Sequence, residues 1–294
     1  MSLELDARVA FQTNATVERA RAAMAQLAEA GVPAERVLVK IPATWEGIQA
    51  AAKLEKEGIH CHATLVFGMH QAVACADAGI TVVSPAVGRI TDWHAKQAKV
   101  EDYPPADDPG VLGSVCMYHY LRRHGHRTEL WPGTFRSAEQ ALALAGADGI
   151  TLPPTLADEL RARTGRIERR LEPSSAVAQG MDRLEVDAAR FASMHSSDPV
   201  SSSKLAHGVK NLSWALVTQE KQLVDWITAR QDQAALTSAS ALFKVWDYDG
   251  DGFIDREEWG GTDEVFNALD RNHDGRISLE EMAIGLGAPY KASE

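Results

Sequence analysis

Aliphatic runs alternate with helix-patterned segments from Leu3 to Leu152, and this alternation leaves few folds open to the chain. The sharpest case is Arg36-Val37-Leu38-Val39-Lys40-Ile41-Pro42-Ala43-Thr44-Trp45-Glu46-Gly47-Ile48. Its β-branched and aliphatic residues up to Pro42 predict a strand buried on both faces, and Thr44 is placed to cap a helix through Leu54. Leu3 to Ala10 alternates, with Leu3, Leu5, Ala7 and Val9 against Glu4, Asp6 and Arg8, as a strand with one polar face. Thr16 opens an alanine-rich helix ending near Gly31. Strand His62 to Phe67 then precedes helix Met69 to Ala78, and strand Thr81 to Ser84 leads to Gly88-Arg89-Ile90. Asp108-Pro109-Gly110 starts a helix through Arg123, strand Arg127 to Trp131 precedes helix Ser137 to Ala145, and Gly149 to Leu152 is a further strand. About six strand-helix units predict an α/β fold with right-handed crossovers and a parallel sheet, and the polar face of the first strand favours a barrel over an open sheet.

After residue 160 the strand pattern stops. Leu184 to Met194 and Ser203 to Ile227 are expected as helices packing across the main domain, the second carrying Trp214 and Trp226, with Asp198-Pro199 between them. The polar, alanine-rich residues 231–238 are expected as a linker between a domain at 1–230 and a smaller one at 239–294. The net charge of −11 is local: residues 236–294 hold 13 acidic and 5 basic groups, a balance of −8, which leaves −3 for the rest. With no basic stripe interleaved with aromatics, nucleic acid is excluded as a partner. Cys61, Cys75 and Cys116 match neither a metal-ligand spacing nor a disulfide framework, which points to a reducing cytoplasm. No apolar run approaches the roughly 20 residues that span a membrane, so no membrane partner is expected, and the acidic start Met1-Ser2-Leu3-Glu4-Leu5-Asp6 is unlike a signal peptide.

The last 60 or so residues carry two segments of one pattern: Asp247-Tyr248-Asp249-Gly250-Asp251-Gly252-Phe253-Ile254-Asp255-Arg256-Glu257-Glu258 and Asp270-Arg271-Asn272-His273-Asp274-Gly275-Arg276-Ile277-Ser278-Leu279-Glu280-Glu281. Ca²⁺ takes about seven oxygens, and a twelve-residue EF-hand loop delivers them from fixed positions. Here they come from the side chains of Asp247, Asp249, Asp251 and Glu258 with the Phe253 carbonyl, and from Asp270, Asn272, Asp274 and Glu281 with the Arg276 carbonyl. Ile254 and Ile277 hold the position where paired loops bridge, so a small all-α EF-hand domain binding Ca²⁺ is predicted.

Lys40 poses the chemical question, because an ammonium in such a strand must be paired, neutralised or used. An amine of lowered pKa attacks a carbonyl and forms a Schiff base; the other reading is a buried stem whose head reaches water. Strand spacing brings Glu4, Lys40 and either His62 or Thr64 to one point. In His60-Cys61-His62 only the two histidines could share a zinc ion on one strand face, and His124 and His126 are expected to face solvent.

The segments Ser2-Leu3-Glu4-Leu5-Asp6-Ala7-Arg8, Lys40 to Ile48, Ser84-Pro85-Ala86-Val87-Gly88-Arg89-Ile90-Thr91-Asp92-Trp93 and Gly133-Thr134-Phe135-Arg136 resemble those of transaldolases, over residues 2 to about 228. The resemblance implies a TIM (β/α)8-type barrel in which Lys40 forms a Schiff base with a ketose phosphate, fructose 6-phosphate or sedoheptulose 7-phosphate. A dihydroxyacetone unit then passes to an aldose phosphate such as erythrose 4-phosphate, in the pentose phosphate pathway, with no organic cofactor. It further implies Glu4 and Thr64 as a proton-shuttle pair acting through a water, Ser84 in the same site, and Arg89 and Arg136 on the substrate phosphate. His62 joins the substrate-binding residues where the family usually has asparagine, and Ala86 stands where it usually has a bulky aromatic. By the same comparison the barrel is N-terminally incomplete, starting at the family's third strand without the first strand's aspartate. Its open edges would invite a missing piece or a homo-oligomer. A related dihydroxyacetone aldolase and a catalytically impaired barrel serving as a calcium-binding module are the other readings.

Overall fold

Five short strands lie side by side in chain order, every ladder parallel: β1 (Ser2–Glu4), β2 (Leu38–Pro42), β3 (Cys61–Val66), β4 (Val82–Pro85) and β5 (Glu129–Leu130). The computed structural model describes residues 1–174, 181–228 and 233–286. Contacts divide the chain into two units, Met1–Lys210 and Asn211–Glu294.

In the first unit the strands alternate with helices α1 (Thr13–Glu29), α2 (Trp45–Lys56), α3 (Met69–Asp77), α4 (Val87–Ala98), α5 (Pro109–Arg123), α6 (Ala138–Ala143) and α7 (Pro154–Ala162). One sheet face carries Val39, Ile41, Ala63, Val83 and Leu130, all buried in one core with Ile48 and Leu54 of α2 and Tyr118 and Leu121 of α5. Burying each of the Val, Ile and Leu side chains is worth about 1.5–3 kcal/mol, which fixes that face inward. The result is an α/β architecture consistent with a TIM-type barrel.

The turns that start the helices are written locally. Thr44 Oγ1 accepts the Gly47 N–H at 2.9 Å, capping α2. At Gly47 a Cβ would lie 2.3 Å from the Pro42 carbonyl oxygen, so only glycine lets the helix leave β2 this sharply. Asp108, fully buried, caps α5 by accepting from the N–H groups of Gly110 and Val111, and also accepts from Thr91 Oγ1 on α4 and Gln140 Nε2 on α6, both at 2.7 Å.

Three expectations fail here. The first strand ends at Glu4 because the Asp6 carboxylate accepts the Arg8 N–H at 2.9 Å and starts a 3-10 turn at Ala7–Val9. Ala7 and Val9 are buried as their alternation demands, but from that turn. Gly149 to Leu152 forms no strand; only the N–H groups of Gly149 and Thr151 reach the Leu130 and Pro132 carbonyls, at 3.4 and 3.0 Å, and the Trp131 indole fills the space a side chain at Gly149 would need. The described sheet therefore has five strands, not six. His126, expected in solvent, has a side chain only 10% exposed, and burial holds it below the usual histidine value.

Helix α8 (Ala188–Ser197), capped by Asp187, precedes α9 (Pro199–Thr228). Val200, Leu205 and Val209 are buried, as packing on the first unit requires, whereas Trp214 and Trp226 are exposed and Val224 packs on the core of the second unit. Of the expected linker, residues 231–232 lie outside the described residues, and Gln233–Trp246 forms α10. Among the described residues no helix is long and apolar enough to cross a membrane.

The second unit adds β6 (Phe253–Ile254), α11 (Asp263–Leu269), β7 (Ile277–Ser278) and α12 (Leu279–Gly285). β6 and β7 pair antiparallel with Ile254 opposite Ile277, both fully buried among Phe243, Phe266, Leu269 and Met282. The two loops are thus joined through their eighth positions, as predicted.

Candidate functional site

The sheet face opposite the core is polar because the side-chain period of a strand is two. Glu4 pairs with Lys40 and Lys40 with His62, so three side chains from three strands stand in one row. Lys40 Nζ donates to Glu4 Oε2 at 3.0 Å. The strand is not buried on both faces as the sequence suggested: the Lys40 and Glu4 side chains are 27% and 37% exposed, so the amine is paired and reachable by solvent rather than sealed away. Thr64 follows two residues beyond His62 on the same face, opposite Pro42. Just past it the register shifts, and Leu65 takes φ +56°, a bulge that turns its side chain against Gly208.

His62 is held at both nitrogens, Nδ1 at 2.9 Å from Ser2 Oγ and Nε2 at 2.7 Å from Ser84 Oγ. Ser84 donates its hydroxyl to the Trp131 carbonyl at 2.5 Å, so it accepts from His62 Nε2–H, and Nδ1 in turn accepts from Ser2. The network assigns one neutral tautomer. Burial, and second the neighbouring Lys40 ammonium, push His62 down to about 4, so the ring adds no competing cation beside Lys40. His60 is engaged elsewhere, with Glu55 and Thr81 at 3.1 Å, and the two histidines do not form a shared metal site.

Arg89 and Arg136 form a second cluster beyond the ends of β4 and β5. Gly88 makes it possible: its N–H donates to the Thr134 carbonyl at 3.2 Å, and a Cβ there would lie 2.8 Å from Arg136 Cγ. Arg136 donates Nε to Asp92 Oδ1 at 3.1 Å and Nη2 to Oδ2 at 2.7 Å, while Nη1 reaches the Thr134 carbonyl at 3.2 Å. The Arg89 guanidinium lies 5.0 Å over the Phe67 ring and donates to the Lys204 carbonyl at 3.3 Å. Burial and then the Arg136 charge lower its pKa, opposed by Asp92. Two guanidiniums and one carboxylate thus share a site suited to a dianion.

In the second unit, ligand oxygens of Asp247, Asp249 and Glu258 lie within 4.8 Å of one another. The first loop fits Ca²⁺: Asp247 Oδ1 is buried with no hydrogen-bond partner, and Glu258 is fixed by the N–H groups of Tyr248 at 2.8 Å and Asp255 at 3.0 Å. Glu281 is held the same way by Arg271, Asn272 and Ser278; burial works to raise its pKa, but these N–H donors bring it below the usual carboxylate value. Asp270 accepts from the Asp274 and Gly275 N–H groups at 3.1 and 3.0 Å, and Asn272 donates to Asp274 at 2.9 Å. Asp251 is 3.5 Å from Arg276 Nη1, an ion pair from one loop to the other. Phe253 lies in β6 opposite Ser278, and Arg276 immediately precedes β7.

Sequence reasoning missed Ser2, Trp131 and Asp92. Ser2 was legible from the alternation that places it on the Glu4 face, and Asp92 lies one helical turn beyond Arg89. The Trp131 contribution is a backbone carbonyl, which no residue type announces.

A transaldolase/fructose-6-phosphate aldolase family model matches residues 1–223, and an EF-hand model matches 240–260 and 262–284. A transaldolase of Thermosynechococcus vestitus is 48% identical over 288 residues, covering 98% of this chain and 74% of the relative. That of Gloeobacter violaceus is 45% identical over 99% of this chain and 75% of the relative. A third, from Methylococcus capsulatus, is 45% identical over 225 residues, 76% of this chain and 68% of the relative.

Proposed function

Since this chain belongs to the transaldolase/fructose-6-phosphate aldolase family and is a transferase of that family, we propose that it moves a dihydroxyacetone unit from fructose 6-phosphate or sedoheptulose 7-phosphate to an aldose phosphate through a Schiff base on Lys40. The observation that carries this reading is the 3.0 Å contact between Lys40 Nζ and Glu4 Oε2 on the open polar face. Lys40 attacks the ketose carbonyl, and Glu4, with Thr64 through a water, takes and returns the protons as the carbinolamine loses water. Breaking the C3–C4 bond, as the C4 hydroxyl gives up its proton to water, sends the bond's electron pair into the iminium, leaving an enamine on Lys40 and releasing an aldose phosphate. The enamine attacks the acceptor aldehyde, and hydrolysis frees Lys40. Ser84, oriented by neutral His62, is placed for a substrate hydroxyl, and Arg89 and Arg136 take the phosphate.

In this reading catalysis belongs to residues 1–230 and Ca²⁺ binding to 239–294, joined through 231–238. The ion would sit on Asp247, Asp249, Asp251, Glu258 and the Phe253 carbonyl in one loop, and on Asp270, Asn272, Asp274, Glu281 and the Arg276 carbonyl in the other. Bound there it would supply charge compensation for carboxylates that otherwise repel. A cytoplasmic setting fits Cys61, Cys75 and Cys116, all free.

Acceptor dependence tests the reaction. With fructose 6-phosphate as donor, seven-carbon product should form only when erythrose 4-phosphate is supplied. Release of free dihydroxyacetone at the same rate without acceptor would instead make the protein an aldolase.

A further inference from the structure

We infer that Asp92 is a positioning residue, which holds Arg136 beside Arg89 so that both guanidiniums meet one phosphate group of the substrate. The inference rests on the reading of Arg89 and Arg136 as phosphate ligands. A guanidinium carries five N–H donors in a planar fork. Asp92 takes the side edge, Nε at 3.1 Å and Nη2 at 2.7 Å, and the Thr134 carbonyl takes one hydrogen of Nη1. One hydrogen on each terminal nitrogen is left to donate to a bound anion. Asp92 lies three residues beyond Arg89 on α4, so one helix face carries both the first cation and the carboxylate that docks the second.

The carboxylate also solves an electrostatic problem. Two guanidiniums in one site repel, and with the Asp92 carboxylate beside them the cluster has a net charge of about +1, which a phosphate dianion reverses. Without Asp92, Arg136 keeps only the Thr134 carbonyl as a side-chain hydrogen-bond partner among the described residues, and its 47% exposed side chain can swing into solvent. A carboxylate this close to an anion site could equally compete with the anion. The two roles predict opposite signs.

The test is calorimetric titration of the whole chain with fructose 6-phosphate, alongside borohydride trapping of unphosphorylated dihydroxyacetone on Lys40. Asp92→Asn should weaken fructose 6-phosphate binding about tenfold, the effect of losing one charged hydrogen-bond partner, while the dihydroxyacetone concentration for half-maximal trapping stays within about twofold. Asp92→Glu should recover part of the loss. The Asp92→Asn/Arg136→Ala pair should bind no worse than Arg136→Ala alone, because Asp92 acts through Arg136. Tighter binding by Asp92→Asn would mean a competing carboxylate and overturn the inference, as would unchanged binding where Arg136→Ala weakens it. If Arg136→Ala changes nothing, the phosphate-ligand reading fails first and takes this inference with it.

Discussion

Lys40 and Glu4 stand 36 residues apart and meet only because β1 pairs with β2, whereas Asp247 and Glu258 meet within one loop. The barrel unit gathers its polar groups by long-range register and lets them satisfy one another, as in the chain Ser2, His62, Ser84 and the Trp131 carbonyl. The EF-hand unit gathers its groups by contiguous sequence and leaves Asp247 Oδ1 buried without a partner. In the first set each polar group already has a partner; the second gathers like charges that repel one another.

The largest expected effect tests the register side of this contrast. Lys40→Ala should lower transfer activity by at least about 10³-fold, since no other amine stands in the row of Glu4 and His62. Far-ultraviolet circular dichroism should be unchanged, because the Lys40 side chain serves no core contact. Next, Glu281→Gln removes the bidentate ligand proposed for the second loop, and Ca²⁺ titration should show at least a roughly 10- to 100-fold weaker site. Transfer with saturating donor measured on the same preparation shows whether the contrast is also functional independence.

The acid response sharpens the comparison further. An unfolded chain protonates its histidines near 6.5, while native His62 and the buried His70 of α3 are both pushed down to about 4, each chiefly by burial. Folded pKa values below the unfolded ones mean that the unfolded state binds more protons between these limits. Stability from these two residues is therefore intact above about pH 6.5 and lost as pH falls toward 4, by at most about 3 kcal/mol each. His62→Asn should flatten this part of a melting-temperature profile; an identical slope in wild type and variant would count against a buried neutral His62. Smallest is Thr44→Ala, expected to cost about 1 kcal/mol through the lost α2 cap, read from denaturant unfolding.

How much was legible follows from the same contrast. The two EF-hand segments could be read from sequence because coordination fixes spacing along one loop, and the Ile254–Ile277 bridge came with them. In the barrel unit, helix starts at Thr44 and Asp108 were legible because a cap is a local hydrogen bond. Strand limits were less so: Leu3 to Ala10 alternates as a strand does, yet Asp6 bonds to Arg8 and ends it. The meeting of Glu4 and Lys40 was legible from strand spacing, but the openness of their face was not, since burial depends on what covers a sheet. The Asp92 fork needed the fold itself, because α4 and the 133–136 loop meet only after β4 and β5 pair.

The central claim is that Lys40 forms the covalent intermediate. The measurement is intact mass with peptide mapping after incubation with fructose 6-phosphate and borohydride. The account predicts a reduced three-carbon adduct on Lys40 that Lys40→Ala abolishes. A folded chain that takes up no adduct, or carries it on another lysine, would contradict it.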